Sequence, residues 1–212
     1  MDPATAEPVN RYLEMLFFMS ENQIQWTQRF CSFFIIEIDI TFNTNNLRLP
    51  LIVLTGIANT GMSFPTAFCF APSESKAAFD FVFEKMREIV WDKFPLPKVI
   101  LGDQAKGLSA SIPYSLPGTV GQFCEWHASE SIKKCLLDSG YGKEKLNAIK
   151  PLIWNYLQAE TSEALKAARA ALLKPLQSPE VRYITDNWIA KENFVCRSPT
   201  KHLPNLGAHS TQ

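Results

Sequence analysis

The chain has 212 residues, enough for one sizeable core and an appendage. A hydrophobic share of 46%, a charged share of 20%, fifteen Phe and five Trp exclude a disordered chain outside the ends. Lys and Arg number 21, as do Asp and Glu, and this zero net charge argues against strong nucleic-acid binding through excess positive charge alone.

Met1–Pro8 reads as loose, and Arg11–Phe30 as weakly helical. Phe33–Thr41 then reads as a strand. Leu49–Ile57 follows as a second, bounded by Asn43–Asn46 and by the turn chemistry of Asn59-Thr60-Gly61. Ser63–Ala71 reads as a third, so short turns predict an antiparallel meander. After Pro72-Ser73-Glu74, apolar residues from Ala77 to Val90 recur at helical spacing, and Pro95 and Pro97 end that helix. Lys98–Leu101 is a short strand reached by a crossover, hence expected parallel to the first. Ala105, Leu108 and Ile112 predict a short helix, and Val120–Cys124 a fifth strand. Ile132–Leu137, Lys143–Leu157, Ser162–Leu173 and Glu180–Ile189 are the later helices, while Cys196–Gln212 has no clear period.

This order is that of the RNase H-like fold: an α/β protein whose mixed sheet has three antiparallel strands, then parallel strands with crossover helices. A helical C-terminal region follows. The expected organisation is an N-terminal segment at 1–28, an RNase H-like core at 29–137, and helices with an irregular tail at 138–212. Five cysteines, an odd number, and no recognisable leader lead to the expectation of an intracellular chain with reduced thiols. The longest apolar run, Phe30–Ile36, is broken by Glu37 and Asp39, too short to span a membrane.

Two acids follow apolar strands: Asp39 after Phe33–Ile38, and Asp103 after Lys98–Gly102. A carboxylate at the end of a buried strand is costly unless something binds it. Either residue alone reads best as a turn or cap residue. Together, on strands expected to be neighbours, they point to Mg²⁺ or Mn²⁺, hard cations that take oxygen ligands. A two-metal site of this kind serves phosphodiester chemistry.

Cys124 and His127 are a second cluster: one loop can offer both to Zn²⁺, but two ligands do not make a site. Cys196 and His202 would complete a set if the tail folded back. A buried Cys and a locally bonded His is the favoured alternative. Glu74 and Glu84 read as solvated or capping, and Lys133, Lys134, Lys143 and Lys145 as a wet helix face. Trp154, Tyr156, Trp188 and Phe194 read as core residues more than stacking platforms.

Four ordered motifs resemble the Mutator-like (MULE) transposase domain: Asp39–Asn45 with Leu49-Pro50-Leu51; Gly56–Gly61 with Ser63-Phe64 and Ala67-Phe68; Leu101-Gly102-Asp103-Gln104-Ala105; and Cys124-Glu125-Trp126-His127. The resemblance covers roughly Gln23–Ile132. It implies a DDE-type, RNase H-like, metal-dependent domain that cuts transposon-end DNA and joins the freed 3′ hydroxyl to target DNA, in the nucleus and with other transposase subunits as possible partners. By it, Asp39 and Asp103 are the first two metal-binding acids, and Cys124 and His127 the family's Cys/His pair. The family's third acid follows a segment that Gly207–Gln212 resembles, so it is expected beyond Gln212; no motif supports Glu163 in its place. The chain therefore reads as a truncated transposase core. The alternatives are a domesticated, non-catalytic DNA- or protein-binding module, and an RNase H-like nuclease acting on RNA or hybrids.

Overall fold

A computed structural model describes residues 14–58 and 60–204. In chain order the elements are β1 Leu16–Phe18, α1 Glu21–Phe30, β2 Ile35–Thr41, β3 Leu51–Ile57, β4 Ser63–Phe70, α2 Lys76–Ile89, β5 Val99–Gly102, α3 Lys106–Ser115 and β6 Val120–Phe123. Then come α4 Glu125–Asp138, α5 Lys143–Leu157, α6 Ser162–Leu173, α7 Ser178–Asn187, a 3₁₀ turn at Ile189–Lys191, and the single-turn helices α8 Glu192–Val195 and α9 Arg197–Thr200. The readings at Met1–Pro8 and Gly207–Gln212 lie outside the described residues.

The strands form one six-stranded mixed sheet in the order β1-β4-β3-β2-β5-β6. β2, β3 and β4 make the antiparallel meander, and Gly61, at φ 78°, closes the β3–β4 turn, where the Ala58 N–H donates to the Met62 carbonyl. β2 pairs parallel with β5, and β5 with β6. Strand alternation decides the two faces. Ile36, Ile38, Ile52, Leu54, Ala67 and Cys69 point to one side, where Phe79, Val82, Phe83 and Met86 of α2 bury against them. Removing one such ring, as in Phe79→Ala, costs about 3–5 kcal/mol. On the other side Ile35, Ile57, Val99, Leu101 and Cys124 form a smaller cluster.

The helices after β6 build a separate core around Ile132, Ile149, Ile153, Tyr156, Leu172 and Trp188. Two expectations are corrected here. The Arg11–Phe30 region contains a strand, β1, that the sequence reading missed; three residues paired only with β4 are too few to show alternation. α4 begins at Glu125, not Ile132, because its first turn is rich in polar residues and hides the apolar period. Of the aromatic residues expected in the core, Tyr156 and Trp188 are buried, Trp154 is half-buried, and Phe194 is on the surface, 45% exposed.

Candidate functional site

The carboxyl ends of the three parallel strands converge at one end of the sheet. The last β2–β5 register pair is Ile38 with Gly102, so Asp39 and Asp103 are the next residues on neighbouring strands. Strands lie about 4.8 Å apart, which places these acids side by side. Their charges act on one another: Asp39 is pushed above its ordinary value by burial, opposed by His127 and the Ile40 N–H, and raised again by Asp103. One Asp103 oxygen, Oδ1, accepts the Ala105 N–H at 3.0 Å. That bond opens α3 and fixes the carboxylate, so the turn role and the site role belong to the same residue.

Two further acids join them. Glu37, two residues before Asp39 and therefore on the same face, is 5% exposed. Burial, then the charge of Asp39, push its carboxyl up to about 7. Glu74, just before α2, is raised by burial and then by Asp103. Gly107 allows this approach: a Cβ there would come within 2.3 Å of the Glu74 carbonyl oxygen, so only glycine lets α3 lie on the chain at Glu74–Ser75. The sequence reading passed over Glu37 and took Glu74 as solvated or capping. A glutamate at an inward position of a central strand was the available signal for the first; nothing local signals the second.

His127 lies in the first turn of α4 and closes the other side. Its Nε2 is 3.7 Å from Asp39 Oδ1. A hydrogen bond with the Cys124 side chain raises its pKa, burial opposes this, and the charges of Asp39 and Asp103 add to the rise. Cys124 itself is wholly buried. Cys196 belongs instead to the helical core, its thiol pushed up to about 12 by burial. The structure therefore brings Cys124 and His127 to the acids and leaves Cys196 apart from them.

α3 and α4 both start at this end, and a helix N-terminus favours negative charge. Among the described residues no Lys or Arg forms an ion pair with Glu37, Asp39, Glu74 or Asp103. No three acid, imidazole or thiol groups there converge closely enough to hold a metal ion. By chemistry, the paired aspartates suit a hard divalent cation, and by number they supply part of its ligand set.

The family model of the MULE transposase domain matches residues 35–131. This segment, just under half of the chain, is similar to a MULE transposase domain. It contains both aspartates, Glu37, Glu74 and the Cys124/His127 pair, and it ends inside α4. A stretch of 97 residues is 29% identical to the PKS-NRPS hybrid synthetase cheA of Chaetomium globosum; it covers 45% of this chain but 2% of that protein. The chain thus matches a very small part of that relative, and the synthetase name describes the relative only. Among the described residues no helix is long and apolar enough to cross a membrane.

Proposed function

We propose that the chain is the RNase H-like catalytic core of a Mutator-like transposase, acting on transposon-end and target DNA in the nucleus. The observation that carries this reading is the acid cluster without Lys or Arg partners at the ends of parallel strands. Like charges held together in partial burial are unfavourable unless a cation joins them. The sheet order supports an RNase H-like fold, because β4-β3-β2-β5-β6 places the first meander strand centrally beside the crossover strand.

In this reading Asp39 and Asp103 hold Mg²⁺ or Mn²⁺. A bound pair of such ions supplies charge neutralisation at the attacking and leaving oxygens of a phosphodiester. The protein's part is positioning. The Ala105 N–H holds one Asp103 oxygen, Oδ1, and so fixes the carboxylate. His127 lies beside Asp39, and when protonated it would favour and orient the ionised carboxylate. The N-termini of α3 and α4 offer positive dipole ends to a DNA phosphate.

Mn²⁺ titration followed by calorimetry tests the site. Wild type should bind, and a chain carrying both Asp39→Asn and Asp103→Asn should not. Equal binding by the two would remove the proposal.

A second reading has one observation in its favour. The described residues provide no third ligand, as in a domesticated module that binds DNA or protein without cutting. A nicking and strand-transfer assay on transposon-end DNA separates the two, since turnover abolished by Asp103→Asn excludes a binding-only role.

A further inference from the structure

Beside the acids runs a groove that none of the site chemistry uses. It has a volume of about 680 Å³, begins at Asp103, and follows β6 between α3 and the α8 region. β6 is the last strand of the sheet. The Val120 N–H donates to Lys98 and the Cys124 N–H to Gly102, both on the β5 side. Backbone alternation then turns the Gly121 and Phe123 peptide groups toward the groove. Phe123 and Phe194 line it, their rings 6.0 Å apart and tilted by 55°.

Charge distinguishes the groove from the site it adjoins. Among the described residues the acid cluster has no Lys or Arg partner, whereas Lys106 and Lys191 both line the groove, and Asp103 is the single acidic residue of its lining. Cations beside aromatic rings fit a nucleotide: phosphate to the ammonium groups, base to the rings. An extended peptide could pair with the β6 edge, but it would give the two lysines no partner.

We infer that this groove receives an unpaired nucleobase of the DNA strand whose phosphate lies at Asp39 and Asp103. This rests on the proposed DNA-processing role and adds a base-holding subsite to it. Phe194 stacks on the base, and Lys106 and Lys191 hold the adjoining phosphates.

Fluorescence anisotropy with a short oligothymidylate and its fully abasic counterpart, in Mn²⁺, tests the subsite. The whole chain is compared as wild type and Phe194→Ala. Phe194 is 45% exposed, and far-UV circular dichroism checks that its truncation leaves the fold intact. Wild type should favour the base-bearing strand about tenfold, as expected for loss of one stacking contact. Phe194→Ala should abolish that preference while keeping the wild-type affinity for the abasic strand. Equal affinity of wild type for the two strands overturns the subsite while the transposase reading stands. Failure to bind either strand removes that reading and the subsite with it. A Val/Thr-rich extended peptide that binds wild type and is lost in Phe194→Ala, while the base makes no difference, would assign the groove to strand addition and overturn the inference.

Discussion

Glu37 and Glu125 are both nearly inaccessible, yet the molecule treats them in opposite ways. In the helical region Glu125, 1% exposed, receives two hydrogen bonds from Arg197, at 2.8 and 3.1 Å, and one from Gln158. Glu192 is paired with Arg169, and Glu180 accepts the Gln177 N–H in a capping box. At the sheet's end Glu37 is buried beside Asp39, and among the described residues no Lys or Arg forms an ion pair with it. The helical region neutralises its buried acids internally and is a scaffold. The sheet end gives its acids no Lys or Arg partner among the described residues, only His127 beside Asp39, and the cation proposed above would supply the missing charge.

The largest effect should come from breaking the internal pair. Arg197→Met leaves Glu125 buried without its guanidinium partner, and should cost about 3 kcal/mol in urea unfolding. Asp39→Asn in EDTA should do the reverse and stabilise, since it relieves repulsion. A loss comparable with that of Arg197→Met would erase the contrast between the regions.

Mn²⁺ at a hundred times its dissociation constant should stabilise wild type by about 2.7 kcal/mol. The chain with both aspartates changed to asparagine should gain nothing, which thermal unfolding with and without the ion will show.

Glu37 gives a pH signature in the metal-free protein. Its folded pKa, about 7, lies above the ordinary 4.5, so the folded state binds the proton more tightly. Its contribution is therefore present at low pH and is lost as pH rises from 4.5 to 7. Glu37→Gln should remove that fall and be the more stable form at pH 8, by about 1–3 kcal/mol. Urea midpoints across this range check it; parallel curves for the two proteins would contradict it.

The smallest effect concerns His127. Its raised pKa means that its stabilisation is complete below the ordinary 6.5 and fades as pH rises through the higher folded value. The pair with Asp39 is half open to water, so His127→Gln should cost only about 0.5 kcal/mol at pH 5.5 and nothing at pH 9.

Much of the sheet was readable because its signals are local. Ile35–Thr41, Leu51–Ile57 and Ser63–Phe70 are apolar runs separated by turn residues, and they fall within a few residues of the expected strands. β1 was missed because three residues hold no period. α5 and α6 match their expected bounds of 143–157 and 162–173 because a long amphipathic repeat survives in sequence. Asp39, Asp103, Cys124 and His127 stood out through their positions after strands and within family-like motifs. Glu74 did not, because its nearness to Asp103 depends on the contact of Gly107 with another part of the backbone.

The sequence by itself determined the order of strands and helices, the two strand-end aspartates and the likeness to the MULE domain, since periodicity, turn chemistry and motif spacing are properties of neighbours along the chain. Only the tertiary structure decided which charges meet: Glu37 and Glu74 with the aspartates, Arg197 with Glu125 across 72 positions, and two lysines beside the β6 edge. Electrostatic energy depends on separation through space and on burial, and neither is written in the distance between residues along a chain.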